Sequence, residues 1–147
     1  MTLNGIITKG IGGFYYVEVA NATYECKARG SFRKSGVSPL VGDEVEYEQT
    51  GENQGIVNKI LPRRSGLIRP PVANIDKLFI VSAFSSPAPS AIIIDKLTVI
   101  ASYNKIEPII VFNKSDMGDF GAWKEIYEKA GFKVYVVCAQ SGDGIEE

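Results

Sequence analysis

The fold class predicted by this sequence is β plus α/β: an OB-like five-stranded barrel followed by part of a parallel α/β sheet. Three observations carry that reading. Five short strand-forming runs separated by glycine-rich turns fill the first sixty residues, a Pro- and Arg-rich stretch follows at 62–71, and strand and helix patterns alternate from Lys77 onward. The domains divide accordingly into 1–70 and 71–147.

Residues 3–8 and 14–19 flank Lys9-Gly10-Ile11-Gly12-Gly13, a hairpin signal, and Phe14-Tyr15-Tyr16-Val17-Glu18-Val19 is rich in strand formers. Residues 23–28 read as a third strand and 44–48 as a fourth. Gly51-Glu52-Asn53-Gln54-Gly55 then turns the chain into a fifth at 56–61. With one long connection at 30–41, this is the strand count of an OB barrel. Arg63, Arg64, Arg69 and the Pro70-Pro71 pair mark 62–71 as a linker, because paired prolines end regular structure and stiffen the chain.

In the second half, Leu78-Phe79-Ile80-Val81-Ser82 is the heart of a buried strand. Pro87 and Pro89 break the chain, Ser90 stands where an N-cap is needed, and Ile93, Leu97, Ile100 and Ala101 recur at helical spacing up to Tyr103. An apolar run at 108–112 is too short for a core helix and right for a strand buried on both faces. A second helix puts Trp123, Ile126, Tyr127 and Ala130 on one face, with Gly131 as its stop, and 133–138 is a third strand. This β-α-β-α-β order implies a parallel sheet. Asp143-Gly144-Ile145-Glu146 has capping-box spacing, which predicts a helix starting where the sequence stops; the chain reads as truncated.

At 45% hydrophobic and 22% charged residues the composition is globular. A net charge of -1 excludes an overall polycation, but residues 1–70 carry 9 Lys and Arg against 7 Asp and Glu, and the remainder 7 against 10. A polyanion partner belongs on the first half. Cys26 and Cys138 form no C-x-x-C pair and histidine is absent, which argues against a zinc site. Both cysteines sit in apolar strand-like runs, as small buried hydrophobes do. The N-terminus has no signal-peptide pattern and no apolar run approaches spanning length, so the expectation is a cytoplasmic protein with no membrane partner.

The run at 108–112 ends in Asn113-Lys114-Ser115-Asp116, which is N-K-x-D. Guanine presents an N1 hydrogen beside an exocyclic amine, and a carboxylate such as Asp116 accepts from both; adenine offers no such pair. Asn113 can donate to ring acceptors or tie neighbouring loops together, the stem of Lys114 can lie over the base, and Ser115 is the spacer. The backbone N–H of Ala139, emerging after the third strand at the same sheet edge, could donate to a guanine carbonyl. As a plain alternative, Asn, Ser and Asp are ordinary turn residues. On the barrel, Lys27, Arg29, Arg33 and Lys34 cluster near Tyr24 and Phe32, a combination that can hold a phosphate backbone and stack on bases; a solvated basic face over core aromatics would read the same way. Phosphate recognition by G-x-x-x-x-G-K-[ST] has no counterpart in these residues.

With Cys26-Lys27-Ala28-Arg29-Gly30-Ser31-Phe32-Arg33-Lys34, Val41-Gly42-Asp43-Glu44-Val45, Arg69-Pro70, Asn74-Ile75-Asp76 and Asn113-Lys114-Ser115-Asp116 in this order, the whole chain resembles the N-terminal part of the circularly permuted, small-ribosomal-subunit-dependent GTPases (the RsgA, YjeQ or YloQ family). An OB domain ahead of a base-reading motif that precedes any P-loop is an unusual order. The resemblance implies a GTP-binding ribosome biogenesis factor whose barrel contacts ribosomal RNA and whose Asn113, Lys114, Ser115, Asp116, Cys138 and Ala139 bind guanine, with cysteine at 138 in the place of the usual serine. It implies GTP or GDP as ligand, and magnesium and a structural zinc only in the full-length pattern, with no ligands for either metal identified in this chain. No catalytic residue is identified, and without a P-loop the chain is not expected to hydrolyse GTP by itself. The alternative is a non-enzymatic RNA-binding protein whose second half only docks.

Overall fold

The computed structural model describes residues 2–20, 22–32 and 36–145 and divides into two compact units, Met1–Ile75 and Asp76–Glu147. The division falls five residues beyond the expected boundary.

In the first unit β1 (Thr2–Ile11), β2 (Phe14–Val19), β3 (Ala22–Ala28), β4 (Glu44–Gly51) and β5 (Gln54–Ile60) close in the order β1-β2-β3-β5-β4. Closure comes from β1 pairing with both β2 and β4, while β3 and β5 run parallel. The first hairpin turns through Gly12 and Gly13, whose φ of 59° and 84° suit a two-residue turn matched to strand twist. Alternation sends Ile7, Val17, Cys26, Val45, Tyr47 and Val57 into the barrel, where they form its core.

The stretch expected to be a linker is built into this unit. β6 (Gly66–Leu67) pairs with β7 (Val72–Ala73), Val72 bridges to Val41, and Leu67 and Ser65 are buried. Arg63 grips the fully buried Asp43 with Nε on Oδ1 at 2.7 Å and Nη2 on Oδ2 at 2.8 Å, and donates from Nη2 to the Ser38 carbonyl. Gly42 is required beside it: its φ is 90° and a Cβ there would run into the Ala73 carbonyl.

In the second unit β8 (Lys77–Ala83), β9 (Glu107–Asn113) and β10 (Lys133–Val137) form a parallel sheet in the order β10-β9-β8, crossed by α1 (Ala91–Tyr103) and α2 (Gly121–Lys129). Ile80, Ile94, Ile110, Phe112, Phe120, Tyr127 and Val134 make the core. Helix α1 turns a different face inward from the one expected. Ile94, Thr98 and Ala101 are buried, Leu97 is half-buried, and Ile93 and Ile100 are exposed. The helix is apolar nearly all round, so its period alone selects no face, and Thr98 can enter because its hydroxyl donates to the Asp95 carbonyl at 2.9 Å. Ser90 is at the N-cap position without a side-chain cap bond. On α2, Tyr127 is buried and Trp123 half-buried, but Ile126 and Ala130 face outward. No helix starts at 143–145: Asp143 bridges to Cys138, Gly144 lies in a turn and Ile145 in a bend, and Glu146 of the expected helix start lies outside the described residues. Among the described residues, no helix is long and apolar enough to cross a membrane.

Candidate functional site

The carboxyl ends of β9 and β10 bring the candidate residues of the second unit together. β9 runs into Asn113, whose partner in the register of β10 is Val137, so the segments leaving the two strands are neighbours. Lys114 takes a left-handed backbone (φ 65°), uncommon for a side chain of its size, and a 3-10 turn over Ser115–Met117 follows. Behind that turn Gly118 leaves no room for a Cβ against the Phe84 ring, and the Ser85 hydroxyl donates to Met117 Sδ at 3.6 Å.

Asn113 splices the two loops. Its Oδ1 accepts from the Lys114 amide at 2.8 Å and from the Ala139 amide at 3.0 Å. Of the two roles that the sequence allows for this amide, the structure displays the tie between loops. The Ala139 N–H is therefore already engaged, and an incoming carbonyl would have to share or replace Asn113 as its acceptor. The loop after β10 folds back on itself, with Cys138 and Asp143 bridged, the Gly142 amide donating to the Cys138 carbonyl at 2.8 Å and the Ser141 hydroxyl to Asp143 Oδ2 at 2.6 Å.

Cys138 is more than a buried hydrophobe: its thiol donates to Asp116 Oδ1 at 3.2 Å. Asp116 is exposed and has no cation partner among the described residues, so its carboxylate faces the cavity with one oxygen steadied by a thiol. Asn113, Lys114, Asp116, Cys138 and Ala139 line one concavity of about 360 Å³, joined by Met117 and Gln140. Neighbourhood in sequence to the motif is the only signal for those last two. Ser115 sits half-buried in the turn and is not part of the wall. The described residues hold no group of three or more His, Cys, Asp or Glu side chains that could bind a metal.

The barrel carries a second candidate surface. Lys27 and Arg29 line a groove of about 460 Å³ together with Phe14, Tyr15 and Phe32. Tyr24 does not join them: its ring packs on Tyr47, with centroids 5.2 Å apart. Arg33 and Lys34 lie outside the described residues. Sequence reasoning passed over Phe14 and Tyr15, which entered as strand formers; their position directly after the Gly12-Gly13 turn is the signal that would have placed them at the groove mouth. Cys26 is apart from all this, enclosed in the barrel, and burial pushes its thiol up to about 11.

Comparison with known proteins agrees with this layout. The family described as RsgA N-terminal domain matches residues 4–57, and that described as RsgA GTPase matches residues 60–147. A relative from Caldanaerobacter subterraneus, "Small ribosomal subunit biogenesis GTPase RsgA", is 43% identical, the alignment covering 99% of this chain and 50% of that protein. One of the same name from Carboxydothermus hydrogenoformans is 40% identical, with 99% and 51% covered. Among solved structures, "YloQ, a circularly permuted GTPase" superposes with a TM-score of 0.78 at 33% identity, covering 95% of this chain and 53% of that one. YjeQ from Thermotoga maritima gives 0.80 at 32%, covering 99% and 55%. The chain thus spans about half the length of the relatives that it matches.

Proposed function

Since the chain belongs to the RsgA/YjeQ/YloQ family of circularly permuted GTPases, we propose that it forms the RNA-contacting barrel and the guanine-reading part of a cytoplasmic GTPase acting in late maturation of the small ribosomal subunit. The observation that carries the guanine reading is the single cavity in which the Asp116 carboxylate, the Lys114 stem and the Cys138–Ala139 loop converge.

The chemistry follows from the side chains present. Asp116 accepts from guanine N1–H and the exocyclic amine, and each charge-assisted bond of this kind is worth roughly 1.5–3 kcal/mol. The thiol of Cys138 holds Oδ1 so that the carboxylate plane does not have to be found at each encounter. Lys114, exposed and set by its left-handed backbone, covers one face of the ring with its methylenes. Adenine leaves the carboxylate facing an acceptor, which is how such a site discriminates.

Base recognition is only part of a GTPase. Catalysis in this class rests on positioning and charge stabilisation around the phosphates, and these 147 residues contain no P-loop sequence to supply it. The chain by itself therefore binds guanine nucleotide weakly and hydrolyses none. A substantial hydrolysis rate from the purified chain, lost in Asp116→Ala, would overturn this reading. Xanthine carries a carbonyl where guanine has its amine, so Asp116→Asn should shift preference from guanosine toward xanthosine; unchanged base selectivity would count against the assignment.

The second reading, an RNA-binding protein without enzymatic function, draws on the barrel groove with Lys27 and Arg29. Salt-dependent RNA binding that falls on Arg29→Ala, together with indifference of the second unit to every guanine ligand, would favour it.

A further inference from the structure

We propose that the Phe14 ring, backed by Lys27, is a wedge that parts two neighbouring bases of an unpaired RNA strand; the inference rests on the reading that the barrel meets RNA. Phe14 is shared by two substantial concavities of the barrel. One is the groove of about 460 Å³ with Lys27, Arg29 and Phe32, and the other a groove of about 470 Å³ with Lys27, Glu25, Gln54 and Ile56. The ring and the Lys27 side chain border both.

Its setting suits insertion. Phe14 opens β2 immediately after the Gly12-Gly13 turn and is half-buried, so it is anchored at its base and open at its edge. In the antiparallel register it lies directly opposite Lys27, whose Nζ is 5.2 Å from the ring centroid. A ring held by its strand and by a cation beside it has little freedom left to lose when a base stacks on it.

Lys27 lines both grooves, but Arg29 lines only the first and Glu25 only the second, which sets a direction. Lys27 and Arg29 have no acidic partner among the described residues, so the first groove offers two free cations to a phosphate. Glu25 lies in the second groove, where its Oε2 accepts from the Tyr16 hydroxyl at 2.9 Å, leaving its other oxygen to accept from an exocyclic base amine. A strand crossing Phe14 would thus lay its backbone over Lys27 and Arg29 and turn an amine-bearing base toward Glu25. In a duplex both faces of each pair are already stacked and the amines are paired, so the wedge selects unpaired strands.

The test is fluorescence anisotropy on the full chain with a labelled mixed-sequence single-stranded RNA of about ten nucleotides, within the span of one OB fold, and a blunt RNA duplex of the same length. The expected result is at least tenfold tighter binding of the single strand. Phe14→Leu should weaken it roughly tenfold with the salt slope unchanged, Phe14→Tyr should bind as the unaltered chain does, and Lys27→Gln should flatten the slope by about 0.7. Loss in the leucine variant with retention in the tyrosine variant separates stacking from misfolding. Equal affinity for strand and duplex, or no loss in Phe14→Leu while Lys27→Gln still flattens the slope, would overturn the wedge and leave backbone binding by the barrel standing. Failure of both RNAs to bind at low salt would sink the wedge and the RNA reading together.

Discussion

Replacing Asn113 by alanine should loosen the candidate guanine site by unfastening its two loops, with the Asp116 carboxylate left in place. The side chain accepts two backbone hydrogen bonds, from Lys114 at 2.8 Å and Ala139 at 3.0 Å, and these fasten the loop after β9 to the loop after β10. Each such bond contributes about 0.5–1.5 kcal/mol net. Lys114 and Ala139 are both exposed, so water can re-pair their amides and the penalty for a buried orphan donor does not apply. The loss is then about 1–3 kcal/mol, and Asn113→Asp, which keeps an acceptor at Oδ1, should lose much less. The chain's one tryptophan, Trp123, packs against Phe112 and Tyr127 in the core of the second unit, so its fluorescence follows that unit alone during urea unfolding. With a slope near the low end for small proteins, about 1 kcal/mol per molar urea, the alanine variant should unfold roughly 1–3 M earlier. Equal shifts for alanine and aspartate, or none for either, would refute the splice.

Other consequences can be checked on the same chain. Arg63→Met leaves the buried Asp43 carboxylate, among the described residues, only the Leu40 amide, at 2.7 Å, as donor, and should cost the barrel about 3 kcal/mol by circular dichroism; Asp43→Asn, which leaves Arg63 free to reach water, should cost less. Tyr127 is pushed up to about 12 by burial first and then by its hydrogen bond to Asp95, against an ordinary value of 10.0. The folded state therefore holds this proton where the unfolded state releases it, so its contribution is complete below about pH 10 and is lost as pH rises toward 12. Over that interval the second unit should lose stability more steeply than in Tyr127→Phe, as Trp123 fluorescence will show; parallel curves would contradict it.

What the sequence made legible, and what it hid, follows from the separation of the interacting residues. Phe14-Tyr15-Tyr16-Val17-Glu18-Val19 alternates within its own length, so β2 could be read directly. The N-K-x-D signature is contiguous, and its chemistry could be read the same way. The closure of β1 on β4 and the parallel pairing of β3 with β5 are long-range and leave no local trace. Arg63 reads as a linker charge because its partner Asp43 lies twenty residues earlier, and only folding shows that carboxylate to be buried. Ala139 reads as a free donor for the same reason: its acceptor, Asn113, is twenty-six residues away. The inward face of α1 stayed hidden for a different cause, since Ile92, Ile93, Ile94, Leu97, Val99 and Ile100 leave too little polar surface to mark an outside.

Base selectivity at the loop after β9 is the most direct measurement of the central claim. Amide chemical shifts of the full chain would be followed while guanosine, and separately adenosine, is added at millimolar concentration, where weak binding is still visible. Guanosine should move the amides of Asn113, Lys114, Asp116, Ala139 and Gln140, adenosine should leave them in place, and Asp116→Ala should abolish the response. Equal responses to the two nucleosides, or a guanosine response that survives Asp116→Ala, would contradict the assignment of these residues to guanine recognition.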